Sequence, residues 1–252
     1  MSTVALYVPG SRPDRFDKAA ATGAEVIVDL EDSVAPDDKA AARTAVAAWV
    51  ASYDGPVQVR VNAPGSSDLA QDLAALPDRV DLRVPKVSGP EDLEHVAGRR
   101  VHAILESAAG VENALAVARA PEVVSLALGE ADLAAELGLA GEEAYAWIRS
   151  RVVVASAAAG LPAPMMSAYP AVRDLAGLEE SCRLGRRLGM RGRTAVHPSQ
   201  VEVIRSVFAP SPDEIGWASD VLAALSSTGV ATLPDGSMVD AAMARRARSI
   251  LG

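Results

Sequence analysis

Short apolar runs alternate along this chain with longer stretches in which apolar residues recur every three to four positions. The runs at 4–8, 25–30, 57–61, 82–87, 101–106, 123–128, 164–169 and 193–197 read as strands. Helices are predicted between them over 12–22, 39–52, 67–76, 91–96, 111–119, 141–159, 175–188 and 198–207. Most of the strands are rich in Val, Leu and Ile, as suits a sheet covered on both faces. Eight strands, each followed by a helix, is the count for a closed (β/α)8 TIM barrel of the α/β class. The rival is an open doubly wound sheet, which usually has fewer strands. Its dinucleotide-binding form carries a Gly-rich turn after the first strand. Here Pro9-Gly10-Ser11-Arg12 follows that strand, and no G-x-G-x-x-G occurs. The barrel is assigned to residues 1–210. Residues 211–252 form a C-terminal extension: a helix at 213–225, a turn-rich piece at 226–237 and a last helix from about 239 to 251. A barrel closes without such a tail, so the extension is expected to pack on, or lid, a neighbouring subunit.

Composition narrows the function. The 252 residues are half hydrophobic, and only 4% are aromatic, so the core is built from small aliphatic side chains. A net charge of −9 with no long basic run argues against nucleic acid as a partner. The pairs Arg186–Arg187 and Arg191–Arg193 are read as solvated surface. Cys182 is the single cysteine, which excludes a disulfide framework and a multi-thiolate metal site within one chain; it is expected to be a buried, inert thiol. There is no leader pattern and no apolar run approaching about 18 residues, so a soluble, cytoplasmic protein is expected.

Polar residues interrupt the apolar runs at the C-terminal ends of the strands. Asp29-Leu30-Glu31-Asp32 ends the second, Arg60-Val61-Asn62 the third, Pro85-Lys86 the fourth and Glu106-Ser107 the fifth. Gly129-Glu130-Ala131-Asp132 and His197-Pro198 end the sixth and eighth. In a barrel those ends open onto one face, where such folds carry chemistry. Glu31, Asp32, Glu106 and Asp132 would crowd this mouth, and like charges so placed repel unless a proton or cation intervenes. With no His or Cys set at zinc spacing, a hard, oxygen-ligated cation is favoured, Mg2+ above all. Glu106 and Asp132 are the candidate ligands, with Glu31 or Asp32 hydrogen-bonding its waters. Asp132 could instead cap the helix it opens. Arg60 suits a bidentate grip on a carboxylate, or else an internal ion pair with Asp29 or Glu31. Lys86 could form a Schiff base in a metal-free aldolase, but beside crowded acids it reads as an electrostatic partner. His197 is either a general base or a structural hydrogen-bonder. His95 and His102 fall away from the mouth and are set aside.

The ordered set Leu6-Tyr7-Val8-Pro9-Gly10, Asp29-Leu30-Glu31-Asp32-Ser33-Val34, Arg60-Val61-Asn62, Pro85-Lys86-Val87, Glu106-Ser107-Ala108, Gly129-Glu130-Ala131-Asp132 and His197-Pro198-Ser199-Gln200 resembles the citrate lyase β-subunit-like branch of the HpcH/HpaI aldolase superfamily. The likeness covers essentially the whole chain. It continues into Phe208-Ala209-Pro210-Ser211-Pro212 and Gly236-Ser237-Met238-Val239-Asp240. It implies a barrel, usually homotrimeric, acting on CoA or acyl-carrier thioesters, with Mg2+ held at Glu106 and Asp132 and the keto acid gripped by Arg60. It places Tyr7 and Lys18 near the CoA moiety. It makes Asp240 the acid/base that reaches a neighbouring subunit's site, where the residue alone would read as a helix cap. Relatives often carry an acid in the seventh strand, where this chain has Pro164-Met165-Met166. The expected activity is a Mg2+-dependent, Claisen-type carbon–carbon cleavage of a 3-hydroxy-acyl thioester to a 2-keto acid and an acyl thioester, as in citrate lyase β or malyl-CoA lyase. The alternatives are an aldolase on free hydroxy acids, or a carrier-dependent subunit of a larger lyase.

Overall fold

The computed structural model describes residues 2–226 and 229–252. They divide into two compact units, Met1–Phe208 and Ala209–Gly252. Among the described residues of the first, eight parallel strands close into a barrel in chain order. They are β1 (Val4–Pro9), β2 (Glu25–Asp29), β3 (Val57–Arg60), β4 (Asp81–Val84), β5 (Val101–Leu105), β6 (Val123–Leu128), β7 (Met165–Met166) and β8 (Gly192–Ala195). Helices fill the connections: α1 (Phe16–Ala20), α2 (Lys39–Ser52), α3 (Ser67–Ala75), α4 (Ala108–Glu112), α5 (Ala114–Ala118), α6 (Glu130–Leu137), α7 (Ala146–Ala158), α8 (Leu175–Arg187) and α9 (Val201–Phe208). The expected barrel is therefore the fold. The open sheet is ruled out by the closing pair, in which Val4–Leu6 of β1 lie beside Arg193–Ala195 of β8.

Local chemistry explains where element bounds depart from expectation. The stretch at 12–22 holds a 3-10 turn, Pro13–Arg15, and five helical residues; Gly23, at φ 69°, then swings the chain into β2. The segment after β4 is 3-10 throughout, Pro90–Val96. The helix expected at 111–119 starts earlier, capped by Ser107, and is broken at Asn113 into α4 and α5. The strand expected at 164–169 shrinks to Met165–Met166, both buried. Pro164 precedes it and Pro170 follows, and neither can donate a ladder hydrogen bond.

The apolar core lies between the strands and the helices. Val26, Val28, Val59, Val61, Leu82 and Val84 point outward and are fully buried, at 0% exposure, against faces such as Ala42, Val46 and Val50 of α2. That helical spacing of four puts one apolar stripe on the sheet. Each such side chain contributes about 1.5–3 kcal/mol on burial. The barrel interior differs. A single register row links Pro9, Asp29, Arg60, Arg83, His102 and Ser125 across six strands, so these residues share one face, and Asp29 to Ser125 form a polar belt. A small apolar plug, Ala5, Ile27 and Met165 with Tyr7 beside it, lies on the axis.

The second unit comprises α10 (Pro212–Ala224), an antiparallel pair of β9 (Val230–Thr232) and β10 (Met238–Asp240), and α11 (Ala241–Leu251). It has its own small core of Ala218, Val221, Leu233, Val239 and Ala247. Ser211 and Glu214 form a capping box on α10. The piece expected to be turn-rich is a hairpin with its bend at Pro234–Asp235; its residues 227 and 228 lie outside the described residues. Among the described residues no helix is long and apolar enough to cross a membrane.

Candidate active site

The strand ends open onto a cavity of about 360 Å³ lined by Tyr7, Asp29, Asp32, Arg60, Arg83, Glu106, Asp132, Ser167 and Thr194 among others. The fold thus brings Tyr7, Asp32, Arg60, Glu106 and Asp132 to one place, as the strand-end pattern predicts. Lys18 is exposed on α1 and is not part of this lining.

Arg60, the last residue of β3, is anchored by its neighbour in the register. Its Nε and Nη2 donate to the two carboxylate oxygens of Asp29, each at 2.7 Å. Asp29 is itself fixed by accepting from the backbone amides of Glu31 and Ser33. Burial alone would raise the Asp29 pKa, but the Arg60 hydrogen bonds and charge outweigh it and hold the carboxyl below its usual range. Nη1 of Arg60 lies 2.9 Å from Glu31 and 3.6 Å from Asp32. Lys86 Nζ lies 3.1 Å from Glu31 on its other side. The internal ion pair considered from sequence is therefore present, and Lys86 is the electrostatic partner expected. Yet both Glu31 carboxylate oxygens are buried without an aligned hydrogen bond. Burial pushes the Glu31 pKa up despite the two cations.

Glu106 follows β5 and is 9% exposed. Its Oε1 accepts from the backbone amide of Lys86 at 2.7 Å. Lys86 holds that amide in place at φ 56°, a left-handed conformation uncommon for a residue with a side chain. Burial first, then the negative charges of Asp132 and Glu31, push the Glu106 pKa up to about 7. Gly129 makes room for it: a Cβ there would sit 2.4 Å from Glu106 Oε2. Asp132 stands in the first turn of α6, exposed, and makes no capping bond; Gly129 occupies the N-cap. The capping alternative for Asp132 is thereby removed. Glu130, two residues before it, is locked by Arg149 at 2.7 and 3.0 Å, which fixes the helix start that carries Asp132.

The cluster suits a divalent cation. A buried Glu106 opposed by the charges of Asp132 and Glu31 is a group that a positive ion would satisfy, and Glu31, ion-paired with Arg60 and Lys86 but without an aligned hydrogen bond, could accept from that ion's waters. Among the described residues no three His, Cys, Asp or Glu side chains already converge on one point. Two carboxylates with remaining water positions match what Mg2+ takes.

Sequence reasoning missed the polar belt below the mouth. Arg83 bonds the Tyr7 hydroxyl and Gln58, and His102 joins Ser125 at 2.6 Å to Asp81 at 3.1 Å. His102 is inside the barrel, buried in β5, and away from the mouth as expected. Alternate polar residues, Gln58/Arg60 and Asp81/Arg83, were the available signal. The surface reading of Arg193 is corrected: it is 1% exposed, bonded to Ser167 O and Ser181 Oγ and placed over the Tyr169 ring. Its position in β8 turns it toward α8. Arg191 is also drawn in, half-buried against Ser2. Cys182 is buried as expected. His197 takes its structural role: its Nδ1 accepts from the Ser199 amide and pairs with the Ser199 hydroxyl. His95 lies exposed in the 3-10 segment.

Residues 3–198 match the family described as HpcH/HpaI aldolase/citrate lyase. A citrate lyase subunit beta-like protein of Mycobacterium tuberculosis is 35% identical over 98% of this chain and 93% of its own length. A (3S)-malyl-CoA thioesterase of Cereibacter sphaeroides is 35% identical over 93% of this chain and 88% of its own. The crystal structure of CitE from Mycobacterium tuberculosis in complex with magnesium, acetoacetate and coenzyme A superposes with a TM-score of 0.87 at 33% identity. That match covers 99% of this chain and 97% of that one.

Proposed function

The chain belongs to the HpcH/HpaI aldolase/citrate lyase family, and we propose from that premise that it is a Mg2+-dependent carbon–carbon lyase acting on CoA thioesters of 3-hydroxy acids. The observation that carries the reading is the buried Glu106 beside Asp132 in a cavity that also holds Arg60. Glu106 and Asp132 would hold the ion, with Glu31 and Asp32 accepting from its waters. When bound, Mg2+ supplies Lewis acidity at the hydroxyl and carboxylate oxygens of the substrate. Arg60 would turn its Nη1 edge, which also faces Glu31 at 2.9 Å, to the substrate carboxylate while Asp29 keeps the guanidinium plane fixed. As the hydroxyl passes its proton to Asp240, the adjacent carbon–carbon bond breaks and its electron pair passes to the thioester α-carbon. A 2-keto acid leaves, and Asp240 protonates that carbon. Lys18 is assigned to the CoA side, and Tyr7, which lines the cavity beside Arg60, to the bound substrate. The extension at 211–252 would deliver Asp240 to a neighbouring copy within a homotrimer. The compartment proposed for the enzyme is the cytoplasm.

The test is product analysis with (3S)-malyl-CoA, (S)-citramalyl-CoA and citryl-CoA, with Mg2+ or EDTA. The expected result is a keto acid and an acyl-CoA in equal amounts from one of them, abolished by EDTA and reduced at least about 100-fold in Asp132→Asn. Free CoA thiol and the intact hydroxy acid would instead make it a hydrolase, the reading favoured by its likeness to the malyl-CoA thioesterase. Turnover only on an acyl-carrier thioester would make it a carrier-dependent subunit, and equal turnover of free hydroxy acids an aldolase.

A further inference from the structure

Arg83 is a buried cation inside the barrel whose guanidinium hydrogen-bonds only neutral groups among the described residues. It sits one residue inside the end of β4, is 3% exposed, and lines the cavity that holds Arg60, Glu106 and Asp132. Its Nε donates to the Tyr7 hydroxyl at 2.8 Å and its Nη1 to Gln58 Oε1 at 3.2 Å. Among the described residues Nη2 has no hydrogen bond and no carboxylate lies within ion-pair distance. Glu25 is reached only through Gln58, whose amide donates to it at 2.8 Å. The other buried arginines of the barrel unit differ. Arg43, Arg149 and the half-buried Arg60 each hold at least one carboxylate directly, and Arg193 is wedged among Ser181, Met166 and Cys182, where it lines no part of this cavity. A buried guanidinium without an acid is costly unless an anion completes it.

Tyr7 completes the arrangement. Its oxygen accepts from Arg83, so its own proton points elsewhere, and it too lines the cavity. The Tyr7 ring lies under both guanidinium carbons, 5.3 Å from that of Arg60 and 5.6 Å from that of Arg83. Two cations therefore stand side by side in one register row, one neutralised by Asp29 and one not. Burial first, with the positive charge of Arg83 adding to it, holds the nearby His102 imidazole below its usual pKa against the Asp81 hydrogen bond.

We propose that Arg83 and the Tyr7 hydroxyl form a second anion anchor, which selects 2-keto acids bearing a second carboxylate over those ending in hydrogen or methyl. This rests on the keto-acid reading of the site and adds to it the substrate's far end. The Arg60 side would take the carboxylate next to the keto group; Arg83 and Tyr7 would take the other.

The experiment is isothermal titration of freshly dissolved oxaloacetate and of pyruvate, with Mg2+, into wild type, Arg83→Met and Tyr7→Phe. Wild type is expected to prefer oxaloacetate by about 10-fold or more, the scale of one charge-assisted hydrogen-bond set. Arg83→Met should bring that ratio to within about twofold of unity, through loss of oxaloacetate affinity, and Tyr7→Phe should lower it partway. An equal affinity of wild type for both acids, or a ratio unchanged in Arg83→Met, overturns the anchor while leaving the keto-acid reading standing. If Arg83→Met does not fold by circular dichroism, Tyr7→Phe decides, and an unmoved ratio there overturns the anchor. Binding of neither acid to wild type overturns both.

Discussion

At the scale of single residues, Glu106 is the most exposed to test. Its pKa in the folded chain, about 7, is raised above the ordinary glutamate value. Between pH 4.5 and 7 the native state therefore holds a proton that the unfolded chain releases, so stability falls as pH rises across that window. The loss is at most about 3 kcal/mol by linkage. Without metal, Tm should fall from pH 5 to pH 8, and Mg2+ should raise Tm more at pH 8 than at pH 6. A Tm in Glu106→Gln that declines equally across that range would refute this account. Gly129→Ala should force Glu106 aside, because the new methyl would overlap its carboxylate. An affinity for Mg2+ weaker by about 10-fold or more, read by calorimetry, is expected with secondary structure kept. The acids of the mouth were legible in the sequence because each ends an apolar run, where charge is out of place. Arg83 and Gln58 were not, because each lies within a strand rather than at its end. Their alternation with Arg60 and Asp81 was the one signal, and a barrel axis normally filled by branched aliphatics argues against reading it as inward charge.

At the scale of elements, the start of α6 is held from behind. Arg149 on α7 is fully buried and bonds Glu130 twice and Glu142 once. Arg149→Met leaves Glu130 buried and unpaired, a loss of about 3–5 kcal/mol. Tm should drop by roughly 6–20 °C, and Glu130→Gln in the same chain should recover part of it. A drop of under 2 °C would mean that the network contributes little. The strand–helix alternation was readable because the outward residues of the strands and the inward stripes of the helices follow their two periods. Where proline intervenes, at 164 and 170, periodicity overestimates length, and where Asn113 interrupts a helix it misses the break. The Arg191–Arg193 segment shows the same limit from the other side. Charge in a short run reads as surface, and only the placement of β8 against α8 shows why Arg193 is enclosed.

At the scale of the whole molecule, the second unit carries the residue on which turnover is proposed to depend. Asp240 caps α11, accepting from the amides of Ala242 and Met243. The capping role read from the residue alone is therefore present, and catalysis needs a separate measurement. Asp and Asn cap equally well, so Asp240→Asn should keep Tm within about 2 °C while lowering kcat about 100-fold or more. A kcat within a few-fold of wild type would confine Asp240 to capping. A mass near three chains in light scattering is expected for the intact protein. The closing pair of the barrel, β1 with β8, has one further consequence, and it concerns synthesis. Val4 must wait for Arg193, and at about 5–20 residues per second the ribosome needs roughly 10–40 s to make the chain between them. Throughout that interval the free side of β1 is an open edge. The nascent protein is thus most open to mispairing with its neighbours before its last strand exists, and slowing translation ahead of residue 192 should lower the soluble yield without changing the finished enzyme.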